Sequence, residues 1–171
     1  MTLQPRAALG VVTLLTAALI AAGPARATRP GPAGAQASAK SLSNYMLGCG
    51  GCHGIEGVSN PELVPELRGQ VGYFLATRQG REYLARLPNV AFYAVSDREL
   101  AGVLNYMVFT IGGRGIPPNA KPYTASEVGA LRKSPLTEVS LIDYRKALVE
   151  DLIANHGAPE SLRIYSNAAY H

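Results

Sequence analysis

The stretch Cys49-Gly50-Gly51-Cys52-His53 decides the organisation of this 171-residue chain. Two thiols three residues apart, with a histidine directly after the second, have the spacing of covalent haem attachment. In that chemistry each thiol adds to one vinyl group of the haem, and the adjacent imidazole becomes an axial ligand of the iron. The two glycines suit a tight approach to the porphyrin edge because they carry no side chain. The motif therefore predicts one covalently bound haem c on Cys49, Cys52 and His53.

Three other uses of the two cysteines are weaker. A structural zinc site takes four Cys or His ligands, so it would need His53 together with His156 or His171, far away in sequence. A thioredoxin-like redox pair requires a βαβ context, and no such pattern is visible. A disulfide between Cys49 and Cys52 would close a loop too small to stabilise the fold much.

Residues 1–27 have the features of a secretory signal peptide. Arg6 gives a positive start, an uncharged apolar run follows, and Ala25-Arg26-Ala27 is a small-x-small cleavage site. An uncleaved membrane anchor is the alternative, but the apolar run lies at the lower limit of length for a spanning helix. We expect a soluble, periplasmic protein that begins near Thr28, with a flexible leader over 28–40 and no stable membrane insertion after cleavage.

The charge of the chain is too small to indicate a polyanionic partner. The formal net charge is +4, and loss of Arg6 and Arg26 with the signal peptide would leave 14 basic against 12 acidic side chains. Nucleic-acid binding and attraction to an anionic membrane both depend on a clear excess of basic residues. Neither is expected here.

Helical patterns on both sides of the motif predict an all-α fold. Leu42, Tyr45 and Met46 recur at helical spacing and predict a helix over 41–48 that runs into the motif. Ser96, with Glu99 three residues later as its capping-box partner, predicts a second helix that ends near Gly112-Gly113.

The remaining segments are also expected to be helical. Residues 70–87 predict one or two short helices, broken at Gly80 and ended by Pro88. A capped helix is expected over 124–133, and an amphipathic helix over 136–156 with its C-cap at the following glycine.

The residues after the motif resemble those of class I cytochromes c. Pro65, Leu67 and Gly69 match the turn that this family places about twelve residues beyond the haem histidine. The resemblance implies that the Pro65 carbonyl accepts a hydrogen bond from Nδ1 of His53, and that Leu67 packs on the porphyrin. An ordinary proline turn is the alternative.

The same family crosses an aromatic residue of its first helix with one of its last core helix. Tyr45 and Tyr106 are the matching positions. The resemblance covers residues 41 to 107, from which we expect a cytochrome c-like domain over 41–133 and a C-terminal helical extension over 134–171.

The sixth iron ligand does not follow the family pattern. The resemblance implies a methionine in the loop before the last core helix, but residues 87–95 contain neither Met nor His. Met46 lies three residues before Cys49, so it is poorly placed to reach the opposite face of the haem. Met107, on the last core helix, is the methionine we expect to ligate the iron; a core-filling methionine is the alternative. The remaining candidates are an open or water-bound site, His156 and Tyr93.

The resemblance implies an electron carrier and not an enzyme. Such a protein would take electrons from a periplasmic dehydrogenase and pass them to a respiratory acceptor through small, transient contacts with redox proteins. A haem protein with an open distal site, which binds or turns over a small ligand, is the first alternative. In that case Arg78, Arg81 and Arg86 are candidates for distal or propionate-binding groups, or else for solvated surface charges. The second alternative is the cytochrome subunit of a larger oxidoreductase, docked through the C-terminal helices.

Overall fold

The computed structural model describes residues 1–2, 38–138 and 140–168. The predicted signal peptide, apart from its first two residues, and most of the predicted leader lie outside these ranges. The described residues form helices and connecting loops without any strand, which confirms the all-α prediction. None of the helices in this part of the chain is long and apolar enough to cross a membrane.

The haem motif lies at the end of a continuous helical run. Helix α1 (Ala39–Tyr45) begins at Ser38, whose hydroxyl accepts a hydrogen bond from the backbone of the first turn. The run continues as a π-helical segment (Met46–Gly50) and then as the short helix α2 (Gly51–His53). Gly54 ends the run because its φ of 75° lies in the left-handed region that favours glycine. The predicted helix is confirmed and extends further than expected.

The segment after the proline turn differs from the sequence prediction in where it breaks. A 3₁₀ helix (Val71–Ala76) is followed by α3 (Arg78–Arg86), and the break lies at Thr77, whose hydroxyl caps α3. Gly80 is not the breaking residue. It lies in the first turn of α3, where a Cβ atom would be 2.3 Å from a backbone oxygen of the 3₁₀ helix. The glycine therefore permits close packing and does not interrupt the helix.

The following proline ends this stretch, as predicted, and has a second role that was not predicted. Pro88 begins the short helix α4 (Pro88–Ala91) and so starts a new element as well as ending α3. Proline suits this first helical position because its missing N–H would have no partner there.

Helix α5 (Asp97–Asn105) begins at the predicted capping box, in which Ser96 and Glu99 bind each other's backbone. The helix then changes to a π-helical segment (Tyr106–Ile111) that ends at Gly112, as predicted. Insertions of this kind inside α-helices are frequent at functional sites. The helical run that begins with α1 and the one that begins with α5 each contain a π-helical segment.

The C-terminal part begins with the second predicted capping box. Thr124 and Glu127 form it and start α6 (Ala125–Leu131), after a 3₁₀ turn at Gly113–Gly115. The helix predicted over 136–156 is shorter than expected.

Helix α7 (Leu141–His156) begins at Ser140, whose hydroxyl accepts from the backbone of Asp143. Leu136 lies outside the helix because its backbone N–H donates to the carbonyl of Arg86, 2.8 Å away. The helix ends at Gly157 with a φ of 68°, as predicted. A 3₁₀ turn (Glu160–Leu162) and α8 (Arg163–Ala168) complete the described chain.

The C-terminal helices share one hydrophobic core with the rest of the chain. Helix α1 packs on α5, α5 on α6, and α7 on the 3₁₀ helix and on α8. Leu148, Val149 and Leu152 on α7 are buried in this core together with Tyr45 and Leu104. The apolar stripe of α7 therefore packs against its own chain and is not available as a docking surface.

Candidate haem site

His53 is fixed by a backbone hydrogen bond. Its Nδ1 lies 2.9 Å from the carbonyl oxygen of Pro65. Because a carbonyl can only accept, Nδ1 must carry the proton, and in the neutral imidazole the Nε2 lone pair is then available to a metal. Burial lowers the pKa of His53, which favours this neutral form. The proline turn thus selects the tautomer and ring orientation that an axial ligand requires.

The two cysteines carry free thiols. Cys49 is half-buried and Cys52 is exposed. Burial raises the pKa of Cys49 to about 11, so its thiol stays protonated at neutral pH and is a poor candidate for a redox thiolate. Among residues 38–138 and 140–168, no group of three or more His, Cys, Asp or Glu side chains lies close enough to hold a metal ion. The described part of the chain therefore gives the zinc alternative no support.

Two adjoining cavities meet at His53. Both are lined by Cys49, His53, Leu87, Val90 and Met107. The walls of the first cavity are completed by side chains from the proline turn, α3, the 3₁₀ helix and α7: Pro65, Glu66, Leu67, Val71, Phe74, Tyr83, Leu84 and Arg145. The second cavity extends towards Cys52, Tyr93 and α5. The predicted site residues are thus brought together around one mostly apolar space.

A larger and more open groove is lined by a different set of residues. Its lining includes Arg68, Tyr73 and Arg114 but none of the three motif residues. Arg68 is ion-paired with Glu56. The groove lacks the donor set that haem attachment requires.

The candidates for the sixth ligand differ in whether they line the cavities at His53. Met107 lies in the π-helical segment after α5, is only 8% exposed and lines both cavities. Met46 is 43% exposed, and His156 lies at the end of α7, 3.8 Å from Asp151. Neither of these two residues lines the cavities at His53. Tyr93 lines the second cavity, but its hydroxyl donates to the carbonyl of Asn44 at 2.9 Å.

The loop that carries Tyr93 is held by an arginine that the sequence did not indicate. Arg132 at the end of α6 donates to the carbonyls of Ala91 and Val95, each at 2.8 Å, and also to that of Tyr93. The Tyr93 ring lies directly over Gly48, where a Cβ atom would be 2.4 Å from the ring. The loop therefore closes over the helical run that carries the haem motif.

The three arginines considered as distal or propionate-binding groups are bound elsewhere. Arg81 forms a two-point ion pair with Glu127, and Arg86 donates to the carbonyl of Ser134 at 2.6 Å. The Arg78 side chain is 91% exposed. None of the three lines the cavities at His53.

A fourth arginine reaches the site instead. Arg145 on α7 is only 4% exposed and lines the first cavity together with His53. The sequence carried one signal for it. Arg145 precedes Leu148, Val149 and Leu152 by three, four and seven residues, which places it on the buried face of the helix. A charge on such a face needs a specific partner.

Comparison with known proteins agrees with this site. The chain is 32% identical over 118 residues to a protein described as cytochrome c-552 from Thermus thermophilus. It is equally similar to the cytochrome c-552 of a particular strain of the same organism. The matches cover 58% of this chain and 90% and 80% of the two relatives. The chain belongs to the c-type cytochromes. No protein-family model and no solved structure matches it.

Membership of this family supports haem-based electron transfer as the general activity of the cytochrome. The family also implies haem c as the cofactor. Because 58% of 171 residues is fewer than 118, the relatives carry residues within the matched stretch that this cytochrome lacks. Over that stretch the present chain is the shorter one.

Proposed function

We propose that this cytochrome is a periplasmic electron carrier with one haem c, bound through thioethers to Cys49 and Cys52 and with His53 as an axial ligand. The observation that carries the proposal is the hydrogen bond between His53 Nδ1 and the Pro65 carbonyl. It presents a neutral imidazole with a free Nε2 beside two thiols at the attachment spacing. Pro65 thus orients the ligand, and Leu67, which is 7% exposed, supplies an apolar wall.

The residues present fit the cofactor chemically. A haem c needs two thiols, an axial histidine and an apolar cleft, and all of these meet at the two cavities. When bound, the haem supplies a one-electron iron couple. The protein's part is to set the ligands, exclude water and fix the charges around that couple.

Met107 is proposed as the sixth ligand. It lines both cavities with His53, and the π-helical geometry around it is typical of functional positions. A thioether ligand stabilises ferrous iron and raises the reduction potential, which suits an electron carrier.

The exported location and the redox partners rest on the sequence. The apolar run after Arg6 and the site Ala25-Arg26-Ala27 support a cleaved signal peptide. We propose a periplasmic dehydrogenase as the electron donor and a respiratory protein as the acceptor. A small haem protein would meet both through transient interfaces.

The proposal is tested by producing the full-length chain in a host that exports it and attaches haem c. The exported protein should have lost residues 1–27 and gained the mass of one haem that acid–acetone does not extract. Cys49→Ala and Cys52→Ala should each weaken or abolish attachment. An exported protein of unmodified mass, with no extractable or bound haem, would contradict the proposal.

One observation favours a second function. The loop 87–95 lacks Met and His, so a protein in which Met107 does not ligate the iron has an open distal side. Such a protein would bind or turn over a small ligand such as carbon monoxide or a peroxide.

A further inference from the structure

A buried guanidinium faces the candidate haem cavity from helix α7. Arg145 is 4% exposed and lines the same cavity as Cys49, His53 and Leu67. Placing a charge in such a position is costly unless the charge is paired and hydrogen-bonded. The buried guanidinium of Arg145 is therefore expected to have hydrogen-bond or ion-pair partners.

The described residues satisfy only some of the hydrogen-bond donors of Arg145. One Nη of Arg145 donates to the carbonyl of Leu162 at 3.4 Å, a long contact. The guanidinium carbon lies 5.3 Å from the centre of the Phe74 ring and 5.7 Å from that of Tyr165. Its Nε is buried and has no hydrogen-bond partner. The aromatic rings hold the side chain in place, but they leave at least one donor unsatisfied.

Arg145 has no ion-pair partner among the described residues. Tyr83 on α3 lies within its hydrogen-bonding reach, and burial raises the pKa of Tyr83, so this phenol stays neutral. Tyr165 on α8 is a second phenol. Glu66 lines the cavity, yet none of the ion pairs found among residues 38–138 and 140–168 includes Arg145. Arg145 is thus a buried cation that no carboxylate of the described residues pairs with.

We propose that Arg145 binds a propionate carboxylate of the haem. The inference rests on the proposed function, because it assumes that the cofactor occupies the cavity at His53. A haem carries two propionates, and the planar guanidinium fork matches a carboxylate with two parallel hydrogen bonds. The contact would satisfy the free Nε and fasten α7 to the cofactor.

Arg145 is the only arginine among the described residues that line the two cavities at His53, and three other arginines are held in ion pairs elsewhere. Arg81 is paired with Glu127, Arg132 with three loop carbonyls and Asp97, and Arg163 with Glu150. The side chains in these ion pairs are partly exposed. Arg145 differs from all three in being buried and in having an unpartnered donor that belongs to the cavity wall.

The proposal makes a prediction about the iron couple. A fixed positive charge beside the haem disfavours the ferric state, which carries one more positive charge than the ferrous state. Removing Arg145 also frees a propionate, whose negative charge then stabilises ferric iron. Both effects lower the reduction potential. Loss of the cation also raises the pKa of the propionate, so that the potential of the variant becomes dependent on pH.

The experiment compares the holoprotein with Arg145→Met, Arg145→Lys and the control Lys146→Met, which removes an exposed cation from the next position of the same helix. The midpoint potential of each protein is measured by spectroelectrochemical titration over the mildly acidic and neutral range. Because thioether bonds retain the haem, the potential stays measurable even where α7 is loosened.

Arg145→Met should shift the reduction equilibrium about tenfold towards ferric iron, or about 59 mV for a one-electron couple. Its potential should fall with rising pH, while those of the wild type and Lys146→Met stay flat. Arg145→Lys should keep most of the wild-type potential because it keeps the charge. Equal, pH-independent potentials in Arg145→Met and Lys146→Met would overturn the inference alone. A purified chain without haem would overturn the proposed function as well, so the two failures are distinguishable.

Discussion

The rings of Tyr45 and Tyr106 lie 5.2 Å apart between their centres, at an interplanar angle of 59°. They come from the first helix and from the end of the fifth, so the contact confirms the predicted aromatic crossing of the two helical runs. Tyr45 is completely buried, and its hydroxyl donates to the carbonyl of Gly54 at 2.8 Å. The pair therefore joins the last core helix to the turn that follows His53.

Tyr45→Phe should destabilise the fold modestly and Tyr45→Leu strongly. The first change leaves the Gly54 carbonyl without its donor, at a cost of about 1 to 3 kcal/mol. The second also removes the ring contact. A double-mutant cycle of Tyr45→Leu with Tyr106→Leu, followed by chemical denaturation, should give a coupling free energy of about 0.5 to 1.5 kcal/mol. Strict additivity would show that the rings do not stabilise each other.

Arg132→Met should release the loop that carries Tyr93. The substitution removes a charged donor from three backbone carbonyls, and charge-assisted bonds of this kind each contribute about 1.5 to 3 kcal/mol. Amide hydrogen exchange should increase over residues 91–96 while the protection of α1 changes little. Arg132→Lys should not restore it, since an ammonium cannot reach the carbonyls with a planar fork.

The matched control for Arg132 is its neighbour. Lys133→Met removes an exposed cation at the next position, so hydrogen exchange in the loop should remain as in the wild type. Equal effects of Arg132→Met and Lys133→Met would show that the loop responds to net charge and not to the three hydrogen bonds.

The sequence predicted the parts of this fold that are encoded locally. The capping boxes at Ser96 and Thr124 lie where the pattern placed them, because a capping box needs only residues three apart. The predicted helix break at Gly80 was wrong because this glycine answers to a contact with another segment and not to the local sequence. That glycine is required by the close approach of another segment's backbone, which local pattern does not reveal. The break itself follows the cap at Thr77.

In the candidate site, too, the residues defined by local spacing were predicted and those defined by long-range contacts were missed. Spacing alone predicts Cys49, Cys52 and His53 as haem-attachment residues. In the structure His53 is hydrogen-bonded to Pro65, and His53 and Cys49 line the same cavities as Met107. Arg132 and Arg145 were missed because each acts through contacts with segments distant in sequence. For Arg145 the spacing to Leu148 and Leu152 carried a signal. Long-range partners of Arg132 could not be predicted from any short pattern.

Glu127→Gln should lower stability at neutral pH by about 1 to 2 kcal/mol. The carboxylate forms two bonds to Arg81, at 2.6 and 2.8 Å, and these bonds lower the pKa of Glu127. A carboxyl group with a lowered pKa in the folded state adds stability above its ordinary pKa of about 4.5. That stability is lost as the pH falls through the lowered value.

The stabilities of the wild type and Glu127→Gln should therefore converge in acid, as measured by urea denaturation at a series of pH values. Glu138→Gln changes an exposed glutamate and serves as the control; it should show no comparable effect at any pH. A difference between wild type and Glu127→Gln that persists undiminished in acid would contradict the ion-pair explanation.

Met107→Leu separates the electron carrier from the ligand-binding alternative. Leucine has a similar volume, so the exchange should cost less than about 1.5 kcal/mol and leave the core intact. If the Met107 sulfur ligates the iron, the oxidised wild-type protein shows the weak thioether charge-transfer band at long wavelength. The variant should lose that band, have a lower reduction potential and bind carbon monoxide.

Met46→Leu is the matched control, because Met46 is 43% exposed and lies outside both cavities; its spectrum and potential should equal those of the wild type. If Met107 only fills the core, Met107→Leu will leave the haem spectrum unchanged, and Met107→Ala will cost about 2 to 5 kcal/mol of stability with the same spectrum. A wild-type protein that already binds carbon monoxide readily would remove Met107 from the iron. It would then favour the small-ligand function, since the loop 87–95 contains neither Met nor His to close the distal side.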